Sequence, residues 1–254
     1  MMQPLPEDKK LNGWGRLALW VSHHQALVRL AALSVGLVVF LIFLPAYIRI
    51  VLWHGLQSHK ILAGMLLVFG LLAISLVWSS GQRLDAWIFL LFNMRGPRPA
   101  WLDKIMVGFT QLGSGIAAVV IALLLYLAGN HLLSYEFVLG SLTLWLIVEL
   151  IKFIVQRSRP FIRLSQARIV GYRAIGRSFP SGHTSQVFFL ATLTIQHFQF
   201  SLWIAILLYS IAFFVGITRM YVGAHYPRDI LAGAILGSVW GVLTGLADGY
   251  VMSR

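Results

Sequence analysis

The chain has 254 residues, 59% of them hydrophobic and only 11% charged, with no cysteine and a formal net charge of +12. Soluble domains carry about 25% charged residues, so this composition excludes a soluble globular enzyme and describes a polytopic membrane protein. The absence of cysteine excludes disulfides, thiolate metal sites and cysteine nucleophiles.

Residues 1–25 read as a polar tail. An interfacial helix is expected around 14–24, where aromatic and basic residues mix as they do at headgroup depth. Lys9, Lys10 and Arg16 with no short apolar core argue against a cleaved signal. His23 and His24 are adjacent, so on a helix they point different ways and make a poor metal pair. A spanning helix needs about 20 apolar residues. Runs approaching that length lie at 30–48, 61–78, 115–127 with its flanks, 137–155, 183–195 with its flanks, 202–217 and 230–246, which predicts six or seven spans. Residues 26–60 are expected to form an extra N-terminal transmembrane helix and loop, and 61–254 the main membrane domain. Between Gln82 and Gly113, charges are scattered among Trp87, Phe89, Phe92 and Trp101 and broken by Pro97 and Pro99. That pattern predicts helices on the membrane surface, shaping the entrance for a lipid.

The run at 137–155 contains Glu149 and Lys152, three apart and hence on one helix face. Intramembrane charge is costly and marks a functional site by default, although a mutually neutralising pair also explains it. Lys152 opens a series continued by Arg157, Arg159, Arg163, Arg168, Arg173, Arg177, Arg219 and Arg228, and no acid occurs between Leu150 and Arg228. A cytoplasmic loop facing anionic lipid explains the loop arginines. It does not explain Lys152, Arg159 and Arg219, which sit at the ends of apolar runs and call for an anion. Arginine suits phosphate bidentately and lysine serves as a point charge. Nucleic acid is excluded as partner, since no soluble domain carries a groove.

Phe179, Pro180, Ser181, Gly182 and His183 punctuate two apolar segments. Proline and small residues opening a long apolar run present a helix N-terminus, whose free N–H groups and dipole favour a phosphate, with His183 in the first turn. A capped membrane helix is the plainer reading of the pentapeptide alone. Farther on, Pro227 is expected to open the last helix, leaving His225 just outside it and Asp229 in its first turn. There the carboxylate would accept a hydrogen bond from the imidazole and orient it. Two histidines and an aspartate also suggest an open metal site, but a dication would have to sit beside Lys152, Arg159 and Arg219.

Lys152, six residues, Arg159-Pro160; Pro180-Ser181-Gly182-His183; and Arg219, five residues, His225, three residues, Asp229 together resemble the three-part signature of the type 2 phosphatidic acid phosphatase superfamily. That superfamily includes bacterial lipid phosphatases and vanadium haloperoxidases. The resemblance covers roughly Gln82 to the C-terminus, with Thr218 where the family usually has serine. It implies an all-α membrane bundle, a six-helix phosphatase core plus the extra N-terminal helix. It also implies His225 as nucleophile forming a phosphohistidine, Asp229 orienting it, and His183 as general acid. Lys152, Arg159, Ser181, Gly182 and Arg219 would hold the phosphate oxygens, with neither metal nor cofactor. The expected substrate is an amphiphilic phosphate in the bilayer: phosphatidate, phosphatidylglycerophosphate, a polyprenyl diphosphate or a lipid A phosphate. The alternative from another class is a non-catalytic carrier or scaffold for anionic lipid.

The expected location is the bacterial plasma membrane, with the site at the membrane-water boundary. With seven spans, every Lys and Arg except Arg49, Lys60 and Arg254 shares the face of the site, which the positive-inside rule makes cytoplasmic. Bacterial relatives commonly present this site on the outer face, and the resemblance selects that face here.

Overall fold

The fold is taken from a computed structural model that describes residues 57–93 and 98–252, with Val35, Ile42 and Phe43; for 247–252 only the backbone is described. The chain divides into two compact units, Met1–His54 and Gly55–Arg254, and the helices of the bundle belong to the second. The interfacial helix expected within 1–25 and the extra helix expected at 30–48 lie outside the described residues.

Every regular element among the described residues of this unit is helical. In order they are α1 (Lys60–Ser75), α2 (Ser79–Asn93), α3 (Ala100–Thr110), a 3₁₀ turn (Gln111–Gly113), α4 (Gly115–Leu127), α5 (His131–Val155), the short α6 (Pro160–Arg163), α7 (Gly182–Phe198), α8 (Leu202–Tyr221) and α9 (Pro227–Met252). Three stretches are each long and apolar enough to cross a membrane: His131–Arg163, Leu202–Tyr221 and Pro227–Leu246. Two bent pairs qualify when each is joined, α1 with α2 at 97° and α3 and its 3₁₀ turn with α4 at 61°. The run at 115–127 is therefore not a straight span with flanks. Its 13 residues reach only about 20 Å at 1.5 Å per residue, and the chain continues into α3 across the bend. Ser114 caps α4 there, its hydroxyl accepting the Ala117 N–H at 3.1 Å.

The helix carrying the apolar run at 183–195, α7, is the axis of the bundle, with nine of its residues buried. Phe189, Leu190 and Leu193 join Leu133, Phe137, Leu144 and Val148 of α5, Ala118 and Ala122 of α4 and Leu236 of α9 in one apolar cluster. Large apolar side chains such as Leu139, Leu142, Trp145, Phe153, Trp203 and Phe213 stay exposed on the outside, as expected where the surroundings are lipid.

Gly233, Gly237, Gly241 and Gly245 recur every four residues along α9 and let its backbone press against α7, as small residues do in membrane bundles. A Cβ on Gly237 would lie 2.1 Å from the Ser185 carbonyl oxygen, and one on Gly233 would lie 2.7 Å from that of Ser181. Gly237→Ala is therefore expected to destabilise the protein by about 1–3 kcal/mol, the usual cost of overpacking, read as a lower melting temperature in detergent. An unchanged melting temperature would show that α7 and α9 have room to separate.

Candidate active site

The site lies where α5, α7 and α8 meet the loops joined to them. Ser181 is the N-cap of α7, its hydroxyl accepting from the Thr184 hydroxyl at 2.9 Å and from the Thr184 N–H. Gly182 and His183 occupy the first turn of α7, where free N–H groups and the helix dipole favour an anion. The Phe179–Pro180 peptide is cis. Pro227 opens α9, with Asp229 in its first turn and His225 just before it.

Backbone hydrogen bonds tie the three motifs together. The Ser178 N–H donates to the Arg157 carbonyl at 2.8 Å, and the Ser181 N–H donates to the Asp229 carbonyl at 3.0 Å. Arg159 Nη1 donates to the Ala224 carbonyl at 3.1 Å and lies 3.3 Å from His225 Nε2. On the other side, a Cβ on Gly182 would sit 3.9 Å from Lys152 Nζ. His183 and Lys152 line one cavity, and His183 lies within the electrostatic reach of Arg219, His225, Lys152 and Arg159. All eight residues singled out from the sequence thus converge on one end of the bundle.

The structure changes two readings of the sequence. First, the series of cations is not without acidic partners. Lys152 pairs with Glu149 at 2.7 Å, Arg168 with Asp103 at 2.8 Å, and Arg228 with Asp85 at 2.8 Å, while Arg157 pairs with both Asp85 and Asp229. What remains is sharper. Arg159 and Arg219 are 4% and 7% exposed, and no carboxylate among the described residues lies within ion-pair distance of either. Arg159 is held by the carbonyls of Ile175, Gly176 and Ala224. Arg219 donates to the Thr110 hydroxyl at 2.6 Å, and its Nε has no partner among the described residues. Burying a guanidinium without a counter-ion is expensive, and Arg159 lies within electrostatic reach of Arg219.

Second, the imidazole is oriented mainly by a carbonyl. His225 Nδ1 is 2.8 Å from the Ser178 carbonyl oxygen and 3.7 Å from Asp229 Oδ2. The carboxylate instead accepts from the Ser178 hydroxyl, from the Tyr226 N–H at 2.9 Å and from Arg157 at 2.5 Å. A carbonyl can only accept, so Nδ1 carries the proton and Nε2 presents its lone pair toward Arg159. Burial, partly opposed by Asp229, pushes the His225 pKa down to about 3. The imidazole is neutral at physiological pH.

Several supporting residues are not evident from the sequence. Asp85 and Asn93 lie with Phe89 on the buried face of α2. Asn93 Nδ2 donates to the carbonyls of Arg168 and Tyr221, each at 2.9 Å, bracing the turn before His225. Thr110 ends α3, and the 3₁₀ turn after it abuts the site, since a Cβ on Gly113 would lie 2.4 Å from the His183 carbonyl oxygen. Asp85, Asn93, Thr110 and Gly113 of the segment expected on the membrane surface thus reach the residues of the site. The available signal for Asp85 was an acid spaced four and eight residues before Phe89 and Asn93, on one helix face.

The profile of the PAP2 superfamily matches residues 121–251, just over half of the chain. The chain belongs to the PAP2 superfamily. A bacitracin transport permease protein of Bacillus licheniformis is 29% identical over 146 residues, 58% of this chain and 68% of that one. An undecaprenyl-diphosphatase of Sulfolobus acidocaldarius is 26% identical over 178 residues, 68% of this chain and 84% of that one. The crystal structure of a transmembrane PAP2-type phosphatidylglycerolphosphate phosphatase from Bacillus subtilis superposes with a TM-score of 0.64 at 24% identity, covering 75% of this chain and 96% of that one. It shows the same fold. In this PAP2 phosphatase all three motifs fall inside the matched stretch, whereas Asp85, Asn93 and Thr110 lie before it.

Proposed function

We propose that this PAP2-family lipid phosphatase hydrolyses an amphiphilic phosphomonoester or diphosphate by double displacement at His225, with residues 61–254 as the catalytic domain. The observation that carries the reading is the pair of buried guanidiniums, Arg159 and Arg219, beside the unprotonated nitrogen of a neutral histidine. Nε2 attacks phosphorus, the bond from phosphorus to the leaving oxygen breaks, and that oxygen takes a proton from His183. Water then attacks the phosphohistidine, giving its proton to His183 as the phosphorus–nitrogen bond breaks and phosphate departs. An incoming phosphate dianion offsets the charge of Lys152, Arg159 and Arg219 and so lets His183 carry the proton it must donate. Phosphoryl transfer asks mainly for positioning and charge stabilisation, which these cations and the N–H groups of α7 supply. The direct test is phosphate release from a panel of lipid mono- and diphosphates in detergent with EDTA present. Release that persists in EDTA supports the reading, and release that requires an added divalent cation contradicts it.

An amphiphilic substrate fits the cavity beside His183. About 490 Å³ in volume, it runs between α4, α5 and α7 from Lys152, Glu149 and His183 at one end past Val148, Trp145, Leu142 and Val138. One end recognises charge and the rest is apolar, as a headgroup and its chain require. Val119→Trp, on the α4 wall, is expected to raise KM for long-chain lipid phosphates by roughly 10-fold, a change within the range of hydrophobic-pocket discrimination. It should leave kcat for a short-chain soluble phosphate within about twofold of wild type. Equal effects on both substrates would remove the chain from this groove.

Polyprenyl diphosphate and phosphatidylglycerophosphate are the first substrates to try, since relatives bear the names undecaprenyl-diphosphatase and phosphatidylglycerophosphatase B. The permease name of another relative favours a second reading, a lipid-handling protein without turnover. That reading predicts anionic-lipid binding with no phosphate release. We also place the site on the outer face of the bacterial plasma membrane. Ser165 and Ser201 are exposed at opposite ends of the bundle, and the chain lacks cysteine. Ser165→Cys should therefore be labelled by a membrane-impermeant maleimide from outside intact cells and Ser201→Cys should not. The reverse pattern would put the site in the cytoplasm.

A further inference from the structure

We propose that Arg157 is a positioning residue for the nucleophile, held in register by Asp85; the inference rests on reading His225 as that nucleophile. Arg157 is two residues from Arg159, yet the two guanidiniums do opposite work. Arg159 has no carboxylate partner among the described residues and faces His225 Nε2. Arg157 donates one Nη to Asp229 of α9 and the other to Asp85 of α2, with its guanidinium 4.3 Å from the ring centroid of Tyr226. The charge of Arg159 meets only backbone carbonyls and His225 among the described residues, whereas that of Arg157 is neutralised by two carboxylates.

Arg157 reaches His225 by two routes. Its side chain holds Asp229, which binds the Ser178 hydroxyl and the Tyr226 N–H. Its main-chain carbonyl takes the Ser178 N–H, and the Ser178 carbonyl in turn takes His225 Nδ1. Beyond Asp85 the chain of contacts continues to Arg228, whose Nη1 donates to the Ser75 carbonyl at 2.6 Å at the end of α1. Asp85, Arg157, Asp229 and Arg228 form a charge-neutral quartet, with Asp85 and Asp229 2% and 0% exposed. Burial favours the neutral imidazole, and Arg157 compensates the Asp229 charge that opposes it. Without Arg157, the Asp229 carboxylate would be a buried charge with His225 as its nearest titratable neighbour, favouring an imidazolium that has no lone pair to attack with.

The test uses the full chain in detergent, with one short-chain lipid phosphate and kcat and KM measured across pH. Arg157→Gln should lower kcat by roughly 10- to 100-fold, the size found for partners that orient functional histidines, with KM changed less than about threefold. Its acid limb of kcat/KM should rise by about one pH unit, as expected when a cation leaves a titrating pair. The other groups facing His225 stay in place: Arg159 before α6, His183 on α7, Arg219 on α8 and Asp229 on α9. Because the substrate is the same throughout, its own titration cancels between variants. Arg157→Lys, which keeps the charge, should recover part of kcat and return the acid limb. Asp85→Asn should act in the same direction as Arg157→Gln but less strongly. These two variants also decide the matter if Arg157→Gln does not fold. Variants that melt lower but keep wild-type kcat and acid limb would make Arg157 a structural clamp and overturn the inference alone. An inactive wild type would overturn the nucleophile reading and the inference with it.

Discussion

Replacing His225 with alanine lowers phosphate release by roughly 10⁴-fold or more, the scale on which covalent nucleophiles act. The loss is expected on kcat, because the proposal assigns lipid binding to Lys152, Arg159, Arg219 and the apolar groove, all of which survive the substitution. A non-catalytic carrier would bind lipid equally well before and after, with nothing to lose. The same histidine has a signature in stability. Its pKa is pushed down from about 6.5 when unfolded to about 3 when folded. The stability from burying it neutral is fully present above pH 6.5 and is lost as pH falls toward 3. Acid melting of wild type and His225→Ala should therefore diverge in that window, the alanine protein losing less.

Arg219→Gln is expected to lower kcat by about 10²- to 10³-fold, or about 2.7–4 kcal/mol, as when one donor is removed from a preorganised anion hole. The guanidinium is 7% exposed, with its Nε unpartnered among the described residues, so its charge is costly to the empty protein and is offset only as negative charge develops on the phosphoryl group. Stability should move the other way. Removing an uncompensated buried cation favours the folded state, so Arg219→Gln is expected to melt higher, by about 2–4 °C for each kcal/mol gained in a chain of this size. Slower turnover with a raised melting temperature is the pattern of a strained functional site. A fall in both would show that Arg219 is an ordinary structural residue.

The candidate site residues could be singled out because their types and spacing are chemical in themselves. Lys152, Arg159, His183, Arg219, His225 and Asp229 lie in three short stretches whose order suffices to suggest a phosphate. What holds them was not legible, because it arrives through the fold. Arg157 meets Asp85 and Asp229, each 72 residues away, and Arg219 meets Thr110 across 109. No local period announces such pairs. The span with no acid suggested cations without acidic partners, but four of them are neutralised from outside it or from its edges. Arg159 and Arg219 remain buried and, among the described residues, without carboxylate partners. The bend between α3 and α4 also escaped, because an apolar run measures length and not direction. The four-residue glycine repeat of α9 lay in plain view, and its role became visible only against the carbonyls of Ser181 and Ser185.

The mechanism stands or falls on phosphorus passing through His225. The decisive measurement is rapid quench of the wild-type enzyme with a radiolabelled lipid phosphate, followed by base-stable, acid-labile trapping and mapping of the label. The expected result is a single phosphoryl group on His225, absent from His225→Ala and formed more slowly when His183 is replaced by glutamine. Label on His183 or elsewhere, or turnover with no phosphorylated protein, would contradict it.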